Sequence, residues 1–294
     1  METYTIENAR LAVTIAAHGA ELSSIYDKEN DRELIWQANP VFWNRHAPVL
    51  FPNVGKYYGG HFTYNGNEYP MGQHGFARDK EFAQAESGED FVTYRLCADE
   101  ESKKVYPFDF VLEITHRLQG NRLSVEWDVK NVDNKTMYFT IGGHPAFNVN
   151  VLPHTDFEDY SLAFKEGTKK LCYILLDTES GTAIADKKYE LHLTDYKYAL
   201  KKEMFDKDAL VFDDGQITWA AIALPDGQPY VALESKDFPN FGIWSKPGAP
   251  YVCLEPWCGR CDNKGFEGEL SEKPGINALK AGEVFEKSYD IIVY

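Results

Sequence analysis

Hydrophobic and polar residues alternate along much of this chain with a period of two. Successive side chains of a β-strand point to opposite faces, so this alternation predicts strands that bury one face. The chain shows no long amphipathic repeat of helical period, and only residues 195–206 are expected to hold a short helix. The clearest alternating sets are Leu11, Val13 and Ile15; Phe108, Phe110, Leu112 and Ile114; and Leu123, Val125, Trp127 and Val129.

Turn-forming sequences separate these runs. Asn65-Gly66-Asn67, Gln119-Gly120-Asn121 and Pro225-Asp226-Gly227 carry residues that tight turns favour, so the flanking runs are expected to pair as hairpins. Residues 39–60 are irregular but rich in aromatic side chains, which predicts a loop packed on a sheet. Many antiparallel strands without a linker or repeat predict an all-β sandwich, with residues 1–294 forming one domain.

The charge balance limits the possible partners. The net charge is -16, so nucleic acid and anionic membrane surfaces would be repelled. A neutral small molecule is compatible with this balance, whereas an anionic one would need a local cluster of Lys or Arg. The sequence shows neither an apolar run of membrane-spanning length nor a signal segment, so we expect a cytoplasmic protein.

Two of the five cysteines have the spacing of a redox or metal site. Cys258 and Cys261 form a C-x-x-C pair, but a redox pair is expected at a helix N-terminus, and no helix pattern follows it. A structural zinc site needs a second pair of ligands, which the sequence lacks. We therefore expect incidental thiols in a loop, with no metal and no cofactor.

Three ionisable residues lie where an apolar, strand-like run meets glycine or proline. They are His74 in Gly72-Gln73-His74-Gly75, His144 in Gly142-Gly143-His144-Pro145, and Glu255 in Leu254-Glu255-Pro256-Trp257. Such junctions place side chains at the rim of a scaffold, where binding and catalytic groups concentrate. Two imidazoles and a carboxylate are sufficient for paired acid and base chemistry.

The order and spacing of these motifs resemble the aldose 1-epimerase (galactose mutarotase) family, and within it a LacX-like branch. The resemblance covers nearly the whole chain. It implies a galactose-mutarotase-like antiparallel β-supersandwich with its site in an open cleft on one sheet. The matching segments are Ala17-His18-Gly19-Ala20-Glu21-Leu22, Phe51-Pro52-Asn53-Val54-Gly55-Lys56, His74-Gly75-Phe76-Ala77-Arg78, Gly143-His144-Pro145-Ala146-Phe147-Asn148, Glu255-Pro256-Trp257 and residues 268–277.

The resemblance also implies roles for the three junction residues. Glu255 matches the family's general base and His144 its general acid, while His74 matches a hydrogen-bonding partner for the ring oxygen or a nearby hydroxyl. Opposite charges on Glu255 and His144 are expected to lower the pKa of the carboxyl group and to raise that of the imidazole. Alternatively, Glu255 is a carboxylate at the surface or at the rim of the core, and His144 is a core histidine satisfied by the backbone.

Three further residues are predicted to bind the substrate. Lys56 stands where the family often has an arginine, and Asp208 is similar to a substrate-binding aspartate that precedes a strand. Alternatively, Asp208 is a turn residue, or the matching aspartate is one of the nearby Asp206, Asp213 and Asp214. Arg78 is either a substrate ligand or a structural residue paired with an acid such as Asp79 or Glu81.

The remaining histidines and two tryptophans complete the candidates. His116 and His192 lie in alternating runs and are expected to face solvent, and His18 is expected in a turn. Trp43 and Trp257 are candidates for an apolar surface beneath a sugar ring.

The resulting prediction is an isomerase of the mutarotase type. It would interconvert the α and β anomers of a hexose by acid and base catalysis of ring opening and closure. Two alternatives remain, namely an epimerase acting on a phosphorylated hexose and a carbohydrate-binding protein without catalysis. Lys56, Arg45 and Arg78 are the candidate cations for a phosphate group.

Overall fold

The computed structural model describes residues 2–294, which form 25 β-strands and one α-helix, Glu100–Val105 (α1). The strands are β1 Thr3–Glu7, β2 Leu11–Ala16, β3 Glu21–Asp27, β4 Arg32–Glu33, β5 Val49–Leu50, β6 His61–Tyr64, β7 Asn67–Pro70, β8 Ala83–Ser87, β9 Phe91–Cys97, β10 Phe110–Gln119, β11 Arg122–Asn131, β12 Met137–Phe139, β13 Ile141–Gly143, β14 Ala146–Asn148, β15 Ser161–Phe164, β16 Lys170–Leu176, β17 Ala183–His192, β18 Lys197–Ala199, β19 Leu210–Phe212, β20 Trp219–Ala223, β21 Pro229–Glu234, β22 Asn240–Trp244, β23 Tyr251–Cys258, β24 Asn277–Leu279 and β25 Val284–Val293.

Two large antiparallel sheets dominate the architecture. One has nine strands in the order β18-β15-β20-β21-β25-β11-β10-β9-β8. The other has eight, in the order β17-β16-β19-β22-β23-β13-β5, with β14 pairing beside it on β23. A four-stranded sheet β1-β2-β3-β4 and the pairs β6-β7 and β12-β24 complete the molecule.

The two large sheets share one hydrophobic core. Leu112 and Ile114 of β10 and Val125 of β11 belong to the same buried cluster as Ile243 of β22 and Leu254 of β23. Burial of this apolar surface is the main stabilising contribution to the fold. The predicted all-β antiparallel supersandwich is confirmed, while the prediction of a single domain stays a prediction.

The alternation along β23 creates a second, chemically different face. Val252, Leu254 and Cys258 point into the main core. The intervening residues, among them Glu255 and Trp257, point to the opposite side of the eight-stranded sheet. This opposite side carries the candidate site.

Most local predictions agree with the structure. The three turn sequences join β6 to β7, β10 to β11 and β20 to β21, and each pair is an antiparallel hairpin. The predicted helix at residues 195–206 is wrong, because this segment holds β18 and a 3-10 turn at Lys202–Phe205. The short helix α1 was not predicted. It begins at a capping box in which Asp99 and Ser102 bond reciprocally.

The prediction for His116 is wrong as well. His116 has the same parity along β10 as Leu112 and Ile114, so the pleat turns it into the core, where it is buried. His192 is exposed, as expected, and His18 lies at a turn. Within residues 2–294, no helix combines the length and apolar character needed to cross a membrane.

Candidate active site

A cavity of about 370 Å³ lies against the outer side of the eight-stranded sheet. Glu255 occupies its floor on the central strand β23, where only 1% of the residue is exposed. Its cross-strand neighbour on β22 is Gly242, which has no side chain to cover the carboxylate. The sheet therefore presents a single buried carboxyl group to the cavity.

His144 approaches Glu255 from the neighbouring strand. Strand β13 ends at Gly143, and Pro145 restricts His144 to an extended backbone before β14 begins. His144 Nε2 lies 3.3 Å from Glu255 Oε2, and His144 is 6% exposed. Acid and base candidates more than a hundred residues apart in sequence are thus in direct contact.

His74 is held by its own backbone neighbours. It has a left-handed backbone (φ 67°), and its N–H donates to the Gly55 carbonyl at 2.8 Å. The Gly55 N–H in turn donates to His74 Nδ1 at 3.0 Å. Because Nδ1 accepts this bond, a neutral His74 carries its proton on Nε2. His74 therefore has its donor at Nε2, which lies 3.3 Å from the side-chain amide of Gln73. The centroids of the His74 and His144 rings are 5.6 Å apart, and the two rings are nearly perpendicular.

Burial controls the protonation of Glu255 and His144. Burial raises the pKa of Glu255 well above its usual value, and the negative charge of Asp208 adds to this. Burial lowers the pKa of His144 to about 3, with a smaller contribution from the cations Arg78 and Arg45. The expected lowering of the Glu255 pKa and raising of the His144 pKa are both wrong. Desolvation of the two buried groups outweighs their mutual attraction.

Asp208 and Arg78 both line the same cavity. Asp208 is exposed, precedes β19 and has a left-handed backbone (φ 73°), with its carboxylate accepting from the Ala209 N–H at 2.7 Å. It therefore has the geometry of the turn residue considered above and also faces the site. Arg78 Nη2 donates to the Gln73 carbonyl at 2.7 Å, and Arg78 Nε lies 3.8 Å from Asp79 Oδ2.

Lys56 is not among the residues that line this cavity. A methyl group on Gly181, which lines the cavity, would be only 2.8 Å from Lys56 Cδ. The lysine side chain instead lines an adjoining open cavity beside Asp177. Of the three residues predicted to bind substrate, the structure brings Asp208 and Arg78 to the cavity wall but not Lys56.

Aromatic side chains form much of the remaining wall. Trp43 and Trp257, both predicted as sugar-facing candidates, line the cavity together with Trp244. Trp244 and Gln73 were not predicted. Gln73 had a signal, since it directly precedes the matching segment that begins at His74, whereas Trp244 follows a run with no ionisable residue and offered none.

One group of buried side chains has the composition of a metal site. The ligand atoms of His144, Cys253 and Glu255 lie within 4.8 Å of one another. Burial and the Glu255 charge raise the pKa of the Cys253 thiol well above its usual value, which opposes the thiolate form that metals require. Cys258 and Cys261 are both buried free thiols, and Cys258 ends β23 instead of lying in a loop.

The fold and the site define a protein of the galactose-mutarotase-like class. The family model described as aldose 1-epimerase matches residues 2–291, and this chain belongs to the aldose 1-epimerase family. The isomerase class predicted from the sequence is confirmed at the level of the family.

Individual relatives agree with this assignment. The LacX protein encoded on a plasmid of Lactococcus lactis subsp. lactis is 31% identical over 306 residues, covering 99% of both chains. The crystal structure of a galactose mutarotase related enzyme from Lactobacillus acidophilus superposes with a TM-score of 0.94 at 35% identity, covering 100% of this chain and 97% of that one. A galactose mutarotase-like protein from Lactobacillus casei superposes with a TM-score of 0.90 at 30% identity, with full coverage of both chains.

Proposed function

We propose that this protein catalyses the interconversion of the α and β anomers of a neutral aldohexose. The observation that carries the proposal is the 3.3 Å contact between His144 Nε2 and Glu255 Oε2 in a cavity that also holds the donor nitrogen of His74. An acid and a base must act together on the two oxygens bound to the anomeric carbon. This pair supplies both groups within reach of one carbon atom.

The proposed reaction moves one proton in each direction. Glu255 removes the proton of the anomeric hydroxyl while His144 donates a proton to the ring oxygen, and the bond between that oxygen and the anomeric carbon breaks. His74 donates a hydrogen bond from Nε2 to the ring oxygen or a neighbouring hydroxyl. Rotation of the aldehyde group followed by the reverse transfers closes the ring as the other anomer.

The buried environment suits the middle of this cycle. Once the ring has opened, Glu255 is protonated and His144 is neutral, which is the state that desolvation favours for both groups. The cyclic sugar, by contrast, requires the ion pair. The pair holds one proton in both states, so proton transfer within the site needs no exchange with solvent.

Measurement of anomer exchange tests this proposal. Glu255→Gln and His144→Asn should each lower the exchange rate of glucose or galactose by about two to four orders of magnitude, measured by NMR saturation transfer above the buffer background. Glu234→Gln is a matched control, because this partly buried glutamate lies on β21 of the other sheet and pairs with Arg122. Near-normal rates in both site variants would refute the assignment. Sugar binding without exchange in the wild type would indicate a binding protein instead.

A second candidate substrate is a phosphorylated hexose, which one feature of the cavity favours. Arg45 and Arg78 both line it, and only Asp79 pairs with them. Arg78 Nε is buried without a hydrogen-bond partner, and burial together with Arg45 lowers the Arg78 pKa to about 10. An anion would compensate this excess of positive charge.

Salt dependence separates the two candidate substrates. If the arginines bind a phosphate group, the KM of hexose 6-phosphate should rise with ionic strength, and Arg45→Gln should raise it at low salt. The KM of the unphosphorylated hexose should change little under either condition. A KM for the phosphorylated sugar that falls with added salt would show that repulsion by the net charge of -16 dominates.

We also propose that residues 1–294 act as a single cytoplasmic domain with a small sugar as its ligand. The shared core of the two large sheets supports the single domain, and the negative net charge argues against nucleic acid or anionic membranes as partners.

A further inference from the structure

The imidazole of His144 is anchored through only one nitrogen. Nε2 faces Glu255 at 3.3 Å, whereas Nδ1 is buried and has no hydrogen-bond partner on any other residue. Functional histidines commonly owe their orientation to a hydrogen bond on the second nitrogen, as His74 does through Gly55. Another kind of contact must therefore fix the plane of the His144 ring.

Two indole rings provide that contact. Trp43 lies over the His144 ring with centroids 4.8 Å apart and planes 32° apart. Trp244 meets the same ring edge-on at 5.7 Å and 87°. The centroids of the two indole rings are themselves 5.7 Å apart. An imidazole that rotated out of its plane would therefore clash with one of them.

Trp43 is itself held firmly in place. The backbone carbonyl of Trp43 accepts from the Trp36 indole N–H at 2.9 Å, and the backbone N–H of Trp43 donates to the Asn39 carbonyl at 3.0 Å. Its ring also packs 5.9 Å from that of Tyr251. These contacts fix the loop before β5 at Trp43, and a supporting residue needs such contacts of its own.

We propose that Trp43 is a positioning residue, which holds the His144 imidazole with Nε2 directed at Glu255 and stabilises its positive charge when the pair is ionised. The proposal rests on the function proposed above. An aromatic face within about 6 Å of a cation attracts it, and more strongly where water is excluded. Trp43 thereby offsets part of the cost of placing a charge on a buried histidine.

Kinetics of Trp43 variants test the proposal. Trp43→Leu should lower kcat for anomer exchange about tenfold, equivalent to ~1.4 kcal/mol, with KM changed less than about twofold. Trp43→Phe retains an aromatic face and should recover most of the lost kcat. Trp219→Leu is the matched control, because Trp219 is a partly buried tryptophan packed on a separate cluster of the other large sheet.

Ring-nitrogen NMR of His144 provides a readout that a purely structural role would not change. The wild type should show one ordered Nε2 environment, and Trp43→Leu should show exchange broadening or a second state. A rise in KM with unchanged kcat, or a loss that Trp43→Phe does not recover, would overturn the proposal. If the wild type failed to exchange anomers, the proposed function would fail, and the His144 spectra would still decide whether Trp43 orients the ring.

Discussion

Single residues set the chemistry of this site through their burial. Glu255 and His144 are both almost inaccessible to solvent, so each is driven towards its neutral form. His144 Nε2 lies 3.3 Å from Glu255 Oε2, so the two groups titrate together, and the pH limbs of the proposed reaction belong to the pair. The acid limb corresponds to uptake of a second proton, and the alkaline limb to loss of the single shared proton.

Replacement of Asp208 tests this view of the alkaline limb. The negative charge of Asp208 contributes to the raised pKa of Glu255. Asp208→Asn removes that charge, so the pKa should fall and the alkaline limb should move to lower pH. Asparagine also tolerates the left-handed backbone at this position (φ 73°), so the fold should persist.

The measurement is a normalised rate profile against pH for the wild type and Asp208→Asn. Asp206→Asn serves as control, because Asp206 is an exposed residue of the same segment that does not line the cavity. An alkaline limb that stays in place, or that moves to higher pH, would contradict the coupling between Asp208 and Glu255.

Chelation tests the buried group of possible metal ligands. The acid and base mechanism needs His144 and Glu255 free to move protons, so we expect EDTA to leave anomer exchange unchanged. Loss of activity on chelation, with recovery on addition of one particular metal ion, would instead assign His144, Cys253 and Glu255 to a metal centre.

The sequence could bring out the three candidate residues but not their protonation. His74, His144 and Glu255 each stood at a recognisable junction within a motif. Their pKa directions depend on how much water the surrounding sheet and loops exclude, and that depends on contacts between segments far apart in the chain. The position of Lys56 has the same origin, since its side chain packs beside Gly181, which lies more than a hundred residues later in the chain.

At the scale of elements, two glycines allow the floor of the cavity to form. The indole of Trp257 lies across Gly142 of β13 and Gly242 of β22. A methyl group on Gly142 would be 2.4 Å from Trp257 Cδ1, and one on Gly242 would be 2.3 Å from Trp257 Cζ2. Three adjacent strands can therefore pack closely beside Glu255 only because two of them lack side chains at these positions.

Gly142→Ala tests the importance of this close packing. The added methyl group should destabilise the protein by about 1–3 kcal/mol, as overpacking of a close-packed site does, and should reduce anomer exchange by displacing β13, which leads to His144. Urea unfolding measures the first effect. Gly72→Ala is the control, because a methyl group there would meet no atom within 4 Å. Equal stability of the two variants would show that the floor can adjust.

Period-two patterns predicted strands well where one face of the strand is buried and the other is partly exposed to solvent. Strands β2, β10 and β11 are of this kind. The pattern gave no guidance for β23, which is buried on both faces. Residues 195–206 were misassigned because a three-residue strand and a single 3-10 turn are too short to show any period.

At the scale of the whole molecule, the order of the strands lay beyond prediction from the pattern. Strand β25 at the end of the chain lies between β11 and β21, and β5 pairs with β13 across some ninety residues. Such long-range pairings depend on how strands from distant segments fit against each other. Alternation within one segment carries no information about that fit. The family resemblance supplied the architecture that periodicity could not.

The burial of His116 makes the stability of the whole fold depend on pH. Burial lowers its pKa to about 3 in the folded protein, whereas an unfolded chain has a histidine pKa of about 6.5. Below pH ~6.5 the unfolded state therefore binds a proton that the folded state does not, so this contribution to stability is complete above that pH and is lost as the pH falls towards 3. Between pH ~6.5 and ~5 the loss should be about 2 kcal/mol, at 1.36 kcal/mol for each pH unit.

Urea unfolding of the wild type and His116→Leu at neutral pH and near pH ~5 measures this loss of stability. The leucine variant should lose less stability on acidification by about that amount, while His192→Leu, a change at an exposed position of β17, should behave like the wild type. Identical acid sensitivity of all three proteins would mean that His116 takes up a proton without unfolding the core.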